Sequence, residues 1–109
     1  MEHFVTNIKT IRELEIMQVE VNYQKLLLIY TDEGIYAIDD TCPHKGISLS
    51  TGKIEGNTIK CKEHGLPVSF KTGEVVSTRQ ADFLRLDKNN RSVSTYQVIL
   101  KNDKVYINL

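Results

Sequence analysis

Short runs in which apolar and polar residues alternate, each closed by Gly, Asn or Asp, divide this chain into a succession of strands. That is the pattern of a small antiparallel sandwich or barrel. The first predicted strand is His3 to Ile8, Thr10 to Leu14 reads as a turn or a single helical turn, and Ile16, Val19 and Val21 mark a second strand. Lys25 to Thr31 is almost continuously apolar, as expected of a strand buried on both faces, and Asp32-Glu33-Gly34 turns it into Ile35 to Ile38, which predicts a hairpin. A turn at Glu55-Gly56-Asn57 leads into Thr58 to Cys61, and Thr72-Gly73-Glu74 separates Val68-Ser69-Phe70 from Val75-Val76. Tyr96 to Leu100 pairs with Lys104 to Leu109 across Lys101-Asn102-Asp103. In Ser77 to Thr95, the run Phe83 to Leu86, the polar turn Asp87 to Ser92 and Val93 onward predict an extra hairpin. No linker, repeat or low-complexity stretch interrupts the series, so one domain over residues 1–109 is expected.

Composition agrees with strands. Valine, isoleucine and threonine together number 29 and alanine 2, an inventory suited to pleated sheet and poor for helices, so the expected class is all-β. Fourteen basic and 14 acidic side chains cancel, which argues against a nucleic-acid binder, because such proteins need clustered excess basic charge. The longest apolar run, Leu26 to Tyr30, is far short of a membrane span, and the broken, acidic start Met1-Glu2-His3-Phe4 lacks the plan of a secretion signal. No membrane contact and a cytoplasmic location are therefore expected.

The chemistry is concentrated in two places, Cys42-Pro43-His44-Lys45-Gly46 and Cys61-Lys62-Glu63-His64-Gly65. Any one of these residues alone has an ordinary explanation, such as a buried thiol or a loop histidine. Both cysteines of the chain and two of its three histidines in paired Cys-x-His and Cys-x-x-His arrangements do not. A disulfide would leave both histidines without a role and is disfavoured in a reducing compartment. Two metal sites can use these four ligands. A tetrahedral zinc takes two thiolates and two imidazoles, but ligand pairs on one loop usually leave two or more residues between them, and Cys42 and His44 leave one. A dinuclear iron–sulfur cluster removes that difficulty, since the cysteine can hold one iron and the nearby histidine the other.

At these residues the sequence resembles the Rieske proteins, and among them the small Rieske-type ferredoxins. The resemblance runs from about Phe4 onward and is tightest from Ala37 to Glu74, with Asp39-Asp40-Thr41 ahead of Cys42-Pro43-His44, and Phe70, Thr72 and Gly73 after His64-Gly65. It implies a Rieske-like antiparallel β-sandwich or barrel with a cluster-binding subdomain of two loops at about residues 40–75. It also implies a [2Fe-2S] cluster with Cys42 and Cys61 on one iron and His44 and His64 on the other. The implied activity is one-electron transfer without turnover chemistry, between a reductase and an oxygenase-type acceptor. Two other readings are carried beside it: the electron-transfer subunit of a nitrite-reductase-like complex, and a zinc-stabilised interaction module.

Several neighbours have their own expected roles. Gly46 and Gly65 supply backbone angles closed to other residues, Pro43 and Pro67 preset dihedrals, and Lys45 and Lys62 are candidates for a docking patch toward an acidic partner. Leu66 and Val68 stand where high-potential respiratory members are expected to carry hydroxyls aimed at the cluster, which places this chain in the low-potential ferredoxin branch. Glu63 and the segment from Ser77 to Thr95 depart from the usual pattern, the latter lacking the family's proline-containing loop.

Overall fold

The structure is a computed structural model describing residues 1–43, 46–62, 65–77, 80, 84 and 91–109. Among the described residues the strands are β1 (Glu2–Asn7), β2 (Ile16–Val21), β3 (Gln24–Thr31), β4 (Gly34–Asp39), β5 (Lys53–Glu55), β6 (Thr58–Lys60), β7 (Pro67–Ser69), β8 (Thr95–Lys101) and β9 (Lys104–Asn108), and helix α1 (Ile8–Leu14) lies between β1 and β2. Six strands in the order β1-β9-β8-β4-β3-β2 form a nearly closed antiparallel barrel, and β5-β6-β7 form a small second sheet. The all-β expectation therefore holds, with the cysteine loops on and around the smaller sheet.

The continuous apolar run in β3 has the predicted cause. Leu26, Leu27, Leu28 and Ile29 are all fully buried. Leu26 and Leu28 pack with Ile11, Val19, Val105 and Ile107 inside the barrel, while Leu27 and Ile29 pack with Ile59, Leu66, Val68 and both cysteines. One strand thus serves as the wall between two cores, because successive side chains point to opposite faces. Each of these side chains contributes about 1.5–3 kcal/mol relative to exposure.

The first strand ends at Asn7, one residue before the predicted end, and the ambiguous stretch after it is a two-turn helix. Ile8 and Ile11, three apart, face the barrel core, and the first helical amide, Ile8 N–H, is satisfied by Asp103 O at 2.9 Å across the β8–β9 turn. Glu15 closes the helix at φ +66°, its N–H donating to Ile11 O at 2.7 Å. The β5 strand was not predicted, since Lys53-Ile54-Glu55 has a single apolar residue. The predicted Val75-Val76 strand is only a bridge, Val68 to Val75, and most of the proposed hairpin between Ser77 and Thr95 lies outside the described residues. At the stem of that segment, Glu74 bridges Ser92 and Val93 N–H donates to Gly73 O at 2.7 Å.

Candidate metal centre

The two cysteines sit on loops of matching backbone geometry. Cys42 N–H donates to Ile47 O at 2.7 Å and Gly46 N–H to Cys42 O at 2.8 Å; in the second loop Cys61 N–H donates to Leu66 O at 2.9 Å and Gly65 N–H to Cys61 O at 3.0 Å. Gly46 and Gly65 occupy the same step after their cysteines, at φ +69° and +62°. The left-handed backbone explains glycine at both places, since an added Cβ at either meets no protein atom within 4 Å.

Both thiols are buried, Cys42 fully and Cys61 at 2% exposure, in the same apolar cluster as Leu27, Ile29, Leu66 and Val68. No disulfide joins the two cysteines, both of which are described. Soft thiol donors on two loops, sharing one low-dielectric core, fit an iron–sulfur group. Leu66 and Val68, read from the sequence as lacking hydroxyls, are fully buried apolar side chains in that core. His44 and His64, together with Lys45 and Glu63, lie outside the described residues; Lys62 is exposed.

The loop stems are held by two adjacent carboxylates that sequence reasoning noted only as part of the resemblance. Asp39 faces β8, accepting from Ser94 N–H at 2.9 Å and from the Tyr96 hydroxyl at 2.6 Å. Burial, followed by this carboxylate's hydrogen bond and charge, pushes the Tyr96 phenol up to about 12. Asp40 faces the other way and is 5% exposed. Its carboxylate accepts from the Gln18 amide, from Ser48 Oγ at 2.7 Å and from Ser50 N–H at 3.0 Å, while its own N–H donates to Lys25 O at 3.1 Å. The chain entering the Cys42 loop is thereby tied to the chain leaving it and to β2. The visible signal was a doublet of acidic residues beside a Ser-x-Ser pair, which nothing in the spacing connects.

Over residues 2–97 the chain matches the Rieske [2Fe-2S] domain family. It is 28% identical over 107 residues to Apoptosis-inducing factor 3 of Homo sapiens, a match covering 98% of this chain and 16% of that protein. It therefore spans about a sixth of the length of that relative. It is 30% identical over 83 residues to the 3-phenylpropionate/cinnamic acid dioxygenase ferredoxin subunit of Photorhabdus laumondii, covering 75% of this chain and 70% of the subunit. Among solved structures, the terminal oxygenase of carbazole 1,9a-dioxygenase from Novosphingobium sp. KA1 shares the fold, with a TM-score of 0.82 at 24% identity over 97% of this chain and 29% of that one. No helix among the described residues is long and apolar enough to cross a membrane.

Proposed function

Because this chain belongs to the Rieske [2Fe-2S] domain family, we propose that it is a ferredoxin-type electron carrier that receives one electron from a reductase and passes it to a terminal oxygenase or similar acceptor. In this reading residues 1–109 act as one Rieske-type domain in the cytoplasm, with residues of about 40–75 binding the cofactor. Cys42 and Cys61 hold one iron, and His44 and His64 hold the other. When bound, the [2Fe-2S] cluster supplies one-electron redox chemistry and no open coordination position for a substrate. The chain's own residues fix the two thiols on congruent loops, exclude water from them with Leu27, Leu66 and Val68, and withhold hydroxyl donors. The last property favours a potential in the lower part of the family range, about −150 to +300 mV.

The observation that carries this reading is the pair of matching cysteine loops packed on one apolar core. A zinc module, the competing use of the same ligands, does not go with the family match. Purified protein is expected to show the visible and electron paramagnetic resonance spectra of a Rieske centre, with two irons and two sulfides per chain. Cys42→Ser, Cys61→Ser, His44→Ala and His64→Ala are each expected to abolish or cripple assembly, since ligation is part of folding here. Wild-type absorbance and iron content in all four variants would refute the ligand assignment. Reduction by a reductase and reoxidation by an oxygenase, followed in the same absorbance, tests the carrier role.

A further inference from the structure

Resting on that reading, we propose that Gly52 is a positioning residue for the cluster: it sets how closely the Cys42 loop and the Cys61 loop approach each other. Its backbone stands at φ −78° and ψ −177°, an extended conformation open to any residue, so conformational freedom does not explain a glycine here. Close approach does. A Cβ built on Gly52 would lie 2.2 Å from the Lys60 carbonyl oxygen, 3.0 Å from the Leu49 carbonyl oxygen and 3.1 Å from the Lys60 carbonyl carbon. All three are backbone atoms, which no change of rotamer can move aside.

The two carbonyls support the two cysteine loops. The Lys60 carbonyl shares a peptide group with Cys61 N–H, and that group is planar, so displacing the oxygen tilts the start of the second loop. Cys61 N–H is the donor that closes this loop on Leu66 O at 2.9 Å. On the other side, Gly52 N–H donates to Leu49 O at 2.9 Å and ends the 3₁₀ turn Leu49–Thr51, which follows the Cys42 loop. Leu49 is fully buried in the same cluster as Cys42 and Cys61, and Ser50 N–H donates to the Asp40 carboxylate at 3.0 Å, so this turn is packed and tied in place. Gly52 is thus where the chain leaving one cysteine loop lies flush on the chain entering the other. A methyl group there forces the two supports apart by roughly 1 Å, from 2.2 Å to a tolerable contact. A site that takes one thiolate from each loop must be held to about 0.5 Å, so it feels this separation directly.

Two other glycines supply the controls. Gly73 meets a backbone carbonyl just as closely, 2.1 Å from Cβ to Val93 O, but at the stem of the segment beyond β7. Gly56 turns β5 into β6, the hairpin that begins beside Gly52, and a Cβ on it meets nothing within 4 Å. Each of the three is changed to alanine in the full chain, loaded with iron and sulfide. The electron paramagnetic resonance g values of the reduced centre are expected to move in Gly52→Ala and to keep their wild-type values in Gly73→Ala and Gly56→Ala. Iron release, timed at urea concentrations that leave equal fractions folded, is expected to be about tenfold faster in Gly52→Ala than in either control. A loss of global stability alone moves neither readout under these matched conditions. A Gly52→Ala chain that folds by circular dichroism but takes up no cluster, while both controls load, also supports the inference. Wild-type g values in Gly52→Ala together with the release rate of Gly73→Ala would overturn it, and so would equal changes in the controls. Failure of Gly52→Ala to fold where Gly73→Ala folds would overturn it too, since Gly52 would then serve the fold at large. A wild-type protein lacking the Rieske spectrum overturns the functional reading and this inference with it, whereas a loaded Gly52→Ala that matches the controls overturns this inference only.

Discussion

Gly73 stands at φ +81°, and a Cβ built on it would lie 2.1 Å from the Val93 carbonyl oxygen and 3.2 Å from Thr95 Cγ2. Gly56 is also left-handed, at φ +57°, but an added Cβ there meets nothing within 4 Å. The pair separates two costs that glycine avoids. Gly56→Ala is expected to lose about 1 kcal/mol from the left-handed backbone alone, and Gly73→Ala well over about 2 kcal/mol, because the strand-like contact to Val93 must also move. Urea denaturation of the two variants measures the difference; equal losses would remove the close approach as the reason for Gly73. At this scale the sequence was a good guide to residues whose chemistry is scarce. Two cysteines and two histidines in paired motifs stand out, and both cysteines lie in one buried cluster. What stayed hidden depends on distant partners: Gly73 read as an ordinary turn glycine, and Asp40 gains its meaning from Gln18, which is 22 positions away.

Among the elements, β3 is the one whose sequence states its surroundings most fully, and its two faces do different work. Leu27 packs on the side of Cys42 and Cys61, and Leu28 on the barrel side with Ile11 and Val105. Truncation of either to alanine should cost about 2–5 kcal/mol, the range for a large buried side chain. The consequences should then diverge. Leu27→Ala is expected to release iron faster than Leu28→Ala at matched stability, because it opens the core beneath the thiols; equal release rates would contradict the division of β3 into two faces. The β2–β3 turn offers the opposite case, a place where the local rule is broken. Asn22 and Tyr23 sit at φ +51° and +66°, the paired left-handed angles of a type I′ turn, yet the second position holds tyrosine, 98% exposed. Tyr23→Gly is expected to raise stability by about 0.5–1 kcal/mol in thermal or urea unfolding, since glycine adopts this angle without strain and no buried contact is lost. Strands with strong alternation or continuous apolar character were legible to within a residue or two. Helix α1 was not, because its seven residues carry no side-chain cap and its first amide is satisfied by Asp103 in the β8–β9 turn, far along the chain.

For the whole molecule the weak point is the joint between β4 and β8, which connects β1-β9-β8 to β4-β3-β2. Only Ala37 with Tyr96 and Ile38 with Thr95 are in register there. Asp39 extends the joint with its backbone, donating from N–H to Ser94 O at 3.0 Å, and with a carboxylate that takes the Ser94 amide and the Tyr96 hydroxyl. The bond from Tyr96 exists only while the phenol keeps its proton. In the folded protein that proton is held to about 12, first because the ring is withdrawn from water and then because the protonated hydroxyl donates a hydrogen bond to the Asp39 carboxylate, against an ordinary value of 10.0. Since the folded state holds the proton more tightly than the unfolded one, the associated stability is intact below pH 10 and declines as the pH rises from 10 to about 12. Tyr96 is only partly buried, so the full conversion of about 1.4 kcal/mol per unit is discounted to roughly 1 kcal/mol over the window. Tyr96→Phe is expected to start less stable by about 1 kcal/mol, from the lost bond to a carboxylate, and then to show a shallower decline than wild type across that alkaline window. Urea midpoints taken at intervals through it give both slopes. Parallel slopes would mean that the Tyr96 hydroxyl is not what ties the two halves of the barrel together at this joint, leaving the two register pairs and the Ser94 contacts to hold it.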